Sequence, residues 1–71
     1  MFVKVTDKWD GHKMLLNAGE IAMVDESGDN GRDGCVVYLK SVVSDSDGSR
    51  HQVKVYVAEA YSYFTKILNV F

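Results

Sequence analysis

The chain has no proline and one cysteine among its 71 residues. One cysteine excludes an internal disulfide, and no Cys/His cluster has the spacing of a structural metal site. Without proline, every backbone N–H past the first residue can donate to a ladder, which suits uninterrupted strands. No apolar run is long enough to cross a bilayer, so no membrane span is expected. The first residues lack a cationic segment followed by an apolar one, so no signal peptide is expected either. Excess positive charge is also missing: eight Lys and Arg stand against ten Asp and Glu, a net charge of −2. That balance argues against an electrostatic grip on nucleic acid or on an anionic membrane. The lone Cys35, inside an apolar run, fits a reducing, cytoplasmic setting as a small buried side chain.

What the chain does have is hydrophobic alternation. Cys35-Val36-Val37-Tyr38-Leu39 and Val53-Lys54-Val55-Tyr56-Val57 alternate with period two around a polar stretch centred on Asp45-Ser46-Asp47-Gly48, the pattern of a hairpin. Pairing Val37 with Val55 and Leu39 with Val53 keeps the aliphatics together and sets Tyr38 against Lys54. A slip of two residues would oppose Lys40 and Lys54, so the first register is preferred.

Strands are expected at about residues 2–6, 12–16, 21–26, 35–43 and 50–57, and a helix at about 58–69. Val3 and Val5 share a face, which Met14 and Leu16 join after a turn over Asp7-Lys8-Trp9-Asp10-Gly11. Asn17 caps a short turn through its side chain. In the third strand Ile21 and Met23 are expected on one face, Ala22 and Val24 on the other. Three glycines and two aspartates over residues 27–34 make a loop. After Val57 the period changes. At about 100° per residue, Ala60, Tyr61, Phe64, Ile67, Leu68 and Phe71 share roughly a third of a helix circumference, with Glu59 in the first turn where the dipole favours an anion. No Ser, Thr, Asp or Asn stands at the helix start.

The fold class is therefore mainly β with one helix. The expected form is a single domain with a five-stranded antiparallel sheet, strongly bent or closed into a small partly open barrel, and the C-terminal helix packed on its Val37/Leu39/Val53/Val55 face. A chain this short buries only about 60% of the surface its unfolded form exposes, and small domains without staples gain stability by oligomerising. The opposite sheet face still carries Phe2, Leu15, Val24, Val36, Tyr38 and Tyr56, too much apolar surface to leave wet. A homo-oligomer, most simply a dimer, is expected, through Tyr38 and Tyr56 on the sheet or Tyr63 and Val70 on the helix. Trp9 either folds back on the sheet edge or stands out as a binding anchor; folding back is expected.

No grouping points to catalysis. Asp45-Ser46-Asp47-Gly48 opens like a calcium loop, but the twelfth position, which should be a bidentate Glu, is Tyr56. Gly28-Asp29-Asn30-Gly31-Arg32-Asp33-Gly34 links strand to strand, whereas a phosphate loop opens a helix. His12 and His51 stand beside turns without a second ligand at metal spacing, and a strand-buried Cys35 lacks the exposed, electropositive setting of a nucleophile. No catalytic residue, cofactor or metal ligand is expected.

The pattern Val3-Lys4-Val5-Thr6, Gly11, Leu15-Leu16-Asn17, then Ile21 and Val24, resembles the small FlbD/SwrD proteins encoded in flagellar operons. So do Val37-Tyr38-Leu39 and the run Val55-Tyr56-Val57-Ala58-Glu59 leading into a helix. It is similar as well to short proteins of phages and mobile elements, and the enlarged loops, residues 28–34 especially, depart from the flagellar pattern. Over residues 3–68 the resemblance implies a compact, non-enzymatic accessory protein, of phage or flagellar-operon type, acting through contacts with a host protein. The alternative function is sequestration of an anionic small molecule such as a nucleotide at a subunit interface, with Lys4, Lys13, Arg32, Lys40, Arg50 and Lys54 supplying cations.

Overall fold

The computed structural model describes residues 1–26 and 34–69. In order it contains β1 (Phe2–Thr6), β2 (Lys13–Asn17), a 3-10 turn (Ala18–Glu20), β3 (Ile21–Asp25), β4 (Cys35–Ser44), β5 (Arg50–Val57) and α1 (Tyr61–Ile67). All strand pairs are antiparallel, as the alternation predicts. The turn chemistry is also as expected. Gly11 takes φ 77° after Asp10, and the Asn17 side chain accepts from Gly19 N at 3.0 Å. The loop over residues 27–33 and the end residues Val70 and Phe71 lie outside the described residues.

The strands do not make one bent sheet or a barrel. They form a two-stranded sheet, β1-β2, and a three-stranded sheet in the order β3-β4-β5. One antiparallel bridge, Asp7 with Val57, joins them, flanked by Lys8 N to the Tyr56 carbonyl at 3.0 Å and Ala58 N to the Thr6 carbonyl at 2.9 Å. The ladder stops there because both chains leave it. Asp7 starts the tight turn into β2, its carboxylate accepting from Trp9 N and Asp10 N at 2.8 and 3.1 Å. Beyond Ala58 the other chain heads for the helix.

Both sheets and the helix share one core: Val3 and Val5 from β1, Cys35 and Val37 from β4, Val57 from β5, and Phe64 from α1. Met14 and Leu16 pack against it from β2, on the Val3/Val5 face as predicted.

Two register shifts decide which side chains reach that core. Val37 pairs with Val55 and Tyr38 with Lys54, as predicted, but Leu39 does not face Val53. Leu39 is the Cα partner of Ile21 on β3, and the next β4–β5 pair is Val42 with Gln52. β4 thus carries two extra residues, and the Gln52 side-chain amide donates to the Leu39 carbonyl at 3.1 Å. A shift of two leaves the faces of the sheet unchanged. The shift in β3 is different. Ile21 pairs with Leu39 and Met23 with Tyr38, so one residue is extra and the faces invert. Ile21 and Val24 therefore share the core side, and Met23 is exposed. The expected pairing of Ile21 with Met23 on one face, and the placement of Val24 on the outer face, are overturned by this bulge.

The helix is shorter than its periodicity predicts, running over Tyr61–Ile67 and not from Ala58. Its N-cap, Ala60, makes no side-chain cap bond, and Ala58 is held in the sheet bridge. Glu59 consequently lies outside the helix. Its carboxylate accepts from Thr6 N at 2.8 Å and from Thr6 Oγ1 at 2.9 Å, tying the end of β1 to the start of the helical segment.

Candidate interaction surface

The outward residues of the three-stranded sheet follow from its register. Asp25, Val36 and Tyr56 lie in one row across β3, β4 and β5; Met23, Tyr38 and Lys54 lie in the next. Tyr38 and Tyr56 are diagonal neighbours on this face, close enough for large side chains to meet. Lys54 Nζ sits 5.7 Å from the centre of the Tyr38 ring, a cation–π distance.

Trp9 extends the strip. The turn between β1 and β2 is held by Asp7 N to the His12 carbonyl at 2.8 Å, by Gly11 N to the Asp7 carbonyl at 3.1 Å, and by the two backbone bonds to the Asp7 carboxylate. Lys8 N pins the turn to Tyr56. The Trp9 ring then lies 6.2 Å from that of Tyr56, tilted by 48°, with Lys8 Nζ 5.3 Å from its centre. Trp9 folds back to meet the sheet edge at Tyr56, yet 74% of its surface stays exposed.

Of the residues singled out in the sequence, the fold brings Trp9, Tyr38 and Tyr56 onto one surface. Tyr63 is elsewhere. It packs on the core, meets Phe64 edge-to-face at 5.3 Å, and donates its hydroxyl to the Lys4 carbonyl at 2.7 Å. Val70 lies outside the described residues. Met23, exposed only because of the β3 bulge, joins the surface unforeseen. Alternation alone could not have placed it there.

The cations proposed for an anionic ligand do not converge. Lys54 is over Tyr38, Lys13 Nζ donates to Thr6 Oγ1 at 3.0 Å on the other sheet, and Arg32 is outside the described residues. A cleft of about 240 Å³ between β3 and α1 is bordered by Ile21, Val24, Tyr61, Phe64 and Leu68 among others.

The remaining polar clusters serve turns. Asp7, Asp10 and His12 come together, a grouping that the Asp-x-x-Asp-x-His spacing could have signalled. His12 Nδ1 contacts the Asp10 carboxylate, which also accepts from His12 N at 3.0 Å; that backbone bond, followed by the imidazole, holds the Asp10 carboxyl below its ordinary pKa. In the β4–β5 hairpin Asp47 accepts from Ser49 N at 2.9 Å, which lowers its pKa likewise, and Asp45 N donates to the Ser49 carbonyl. His51 Nδ1 stands 3.4 Å from the Asp45 carboxylate, and both histidines are exposed. Burial, with the Glu59 charge nearby, pushes the Cys35 thiol up to about 11, and its Sγ donates to the Glu59 carbonyl at 3.4 Å. A thiol held protonated in this way is a core side chain and a poor nucleophile.

Compared with known proteins, the chain matches no family model, no curated protein and no solved structure.

Proposed function

We propose that the protein is a non-enzymatic accessory module that docks on a partner protein through the outer face of β3-β4-β5, as the resemblance to phage and flagellar-operon proteins implies. The observation that carries this reading is Trp9, a large exposed ring held beside Tyr56 by a turn fixed by three backbone–backbone hydrogen bonds and two from backbone N–H groups to the Asp7 carboxylate. Rigid aromatics lose little conformational freedom on binding, and Trp and Tyr dominate the energetics of protein interfaces. Tyr38, Val36 and Met23 continue the apolar centre, and Lys8, Lys54 and Asp25 form a charged rim, the usual anatomy of such a site.

The test is a photo-crosslinking residue placed at position 9 or 38 in the protein's own cells. One protein should crosslink at these positions and not from position 66 on the helix. The pair Trp9→Ala with Tyr56→Ala should abolish a crosslink made from position 38 while leaving Tm unchanged. No crosslink, together with a Tm raised by nucleotides, refutes the proposal and favours sequestration of an anionic ligand.

A further inference from the structure

Beyond Leu39, β4 leaves the shelter of β3. Past the bulge, Val42, Val43 and Ser44 have β5 as their only strand partner among the described residues, and the hairpin from residue 40 to residue 52 is exposed along its length. The edge turned away from β5 reads Ser41-Val42-Val43-Ser44: uncharged, β-branched at its centre, and free of glycine and proline. Val42 and Val43 stay 49% and 43% exposed, on opposite faces of the ribbon. Two strands alone are marginal in water, and the exposed, uncharged stretch between the bulge and Asp45 is a template for another strand.

We infer that this edge pairs with the same edge of a second copy, in antiparallel register about a two-fold axis centred on Val43. The surface differs from the aromatic face proposed above. Charge permits the pairing. Val42 would oppose Ser44 of the partner subunit and Ser41 would oppose Asp45 of the partner subunit, with no like charges across the seam. Centring on Val42 instead would bring Asp45 of the partner subunit to the side of Leu39 that Ile21 already occupies. A two-fold axis normal to the sheet pairs a residue with itself, and these two centres keep the uncharged stretch together. The pairing would join two three-stranded sheets through their ribbons and give each ribbon a third strand.

Sedimentation equilibrium from micromolar to hundreds of micromolar tests it. The wild type should sediment at twice the chain mass. Val43→Lys should return to the chain mass with an unchanged far-UV circular dichroism spectrum, while Val43→Thr should remain a dimer. Trp9→Ala with Tyr56→Ala should also remain dimeric, because the aromatic face takes no part. A wild type that stays monomeric throughout, or a Val43→Lys protein that still dimerises, overturns the inference. So does a monomeric Trp9/Tyr56 double variant. If Val43→Lys does not fold, Val43→Cys decides. Directly opposed strand residues lie within disulfide reach, so mild oxidation should link the two copies through position 43 and leave Ser62→Cys on the helix unlinked. A Val43→Cys protein that forms no linked dimer refutes the pairing.

Discussion

Replacing Phe64 by Ala should remove most of what holds the helix to the two sheets. Phe64 is 1% exposed and is the one fully buried side chain that α1 contributes to the core among the described residues. Its ring shares the core with Val3 and Val5 from one sheet and Val37 and Val57 from the other, and it meets the Tyr63 ring edge-on. Truncating a buried Phe to Ala costs about 3–5 kcal/mol, the transfer term plus the cavity left behind. The lower end applies here, because the ring borders the open cleft between β3 and α1, into which its surroundings can relax. A domain of this length has about 4–10 kcal/mol of stability in all. α1 spans seven residues, too few to persist in water without its packing. Urea unfolding followed by circular dichroism should therefore show a midpoint lower by about 3 M, at an m-value of about 1 kcal/mol/M. Phe64→Leu should lose far less. A Phe64→Ala protein with the wild-type midpoint would refute the placement of α1 on the shared core.

Three further outcomes follow from the same core. Glu59→Ala deprives Thr6 N and Thr6 Oγ1 of their acceptor, and should cost about 1–3 kcal/mol with faster amide exchange at Thr6; unchanged exchange would show the contact to be unimportant. Gly34→Ala should destabilise by about 2–3 kcal/mol, because Gly34 has φ 119° and a Cβ there would stand 2.2 Å from the Val57 carbonyl oxygen; a Tm equal to wild type contradicts that approach. Cys35 should resist alkylation at pH 8 in the native state and react once urea unfolds the chain. Its folded pKa is raised from an ordinary 9.0 to about 11, so the unfolded thiol loses its proton first, and stability should fall as pH rises across that window. Native-state labelling at the unfolded rate would contradict its burial.

Much of the local structure could be read from the residues. Period-two runs marked all five strands, Asp10-Gly11 and Asn17 marked the turns, and the matching of aliphatics placed Val37 opposite Val55, although beyond the bulge the hairpin runs in the two-residue slip that the Lys40/Lys54 argument had rejected. Such signals are short-range: turn conformers, side-chain caps and the pleat act over a few residues and leave their mark in a few residues. Tyr38 and Tyr56 could likewise be named as surface candidates because aromatic surplus on an outward face is visible in alternation, whereas Trp9 stands out in the sequence only as a large aromatic in a turn.

The tertiary structure decided the rest. A bulge of one residue at Ala22 exchanged Met23 for Val24 in the core, since the face shown depends on the partner strand and not on local propensity. The division into two sheets arose because Asp7 turned the chain toward β2 just where it met Val57. The helix began at Tyr61 because Ala58 was already spoken for by Thr6, and Glu59 left the helix to serve the same residue. Trp9 came to rest beside Tyr56 because Lys8 N bonds across 48 residues of sequence to the Tyr56 carbonyl. Each of these outcomes rests on a contact between residues far apart in the chain, and hydrophobic periodicity, which records only whether a side chain is buried, carries no information about which distant residue buries it.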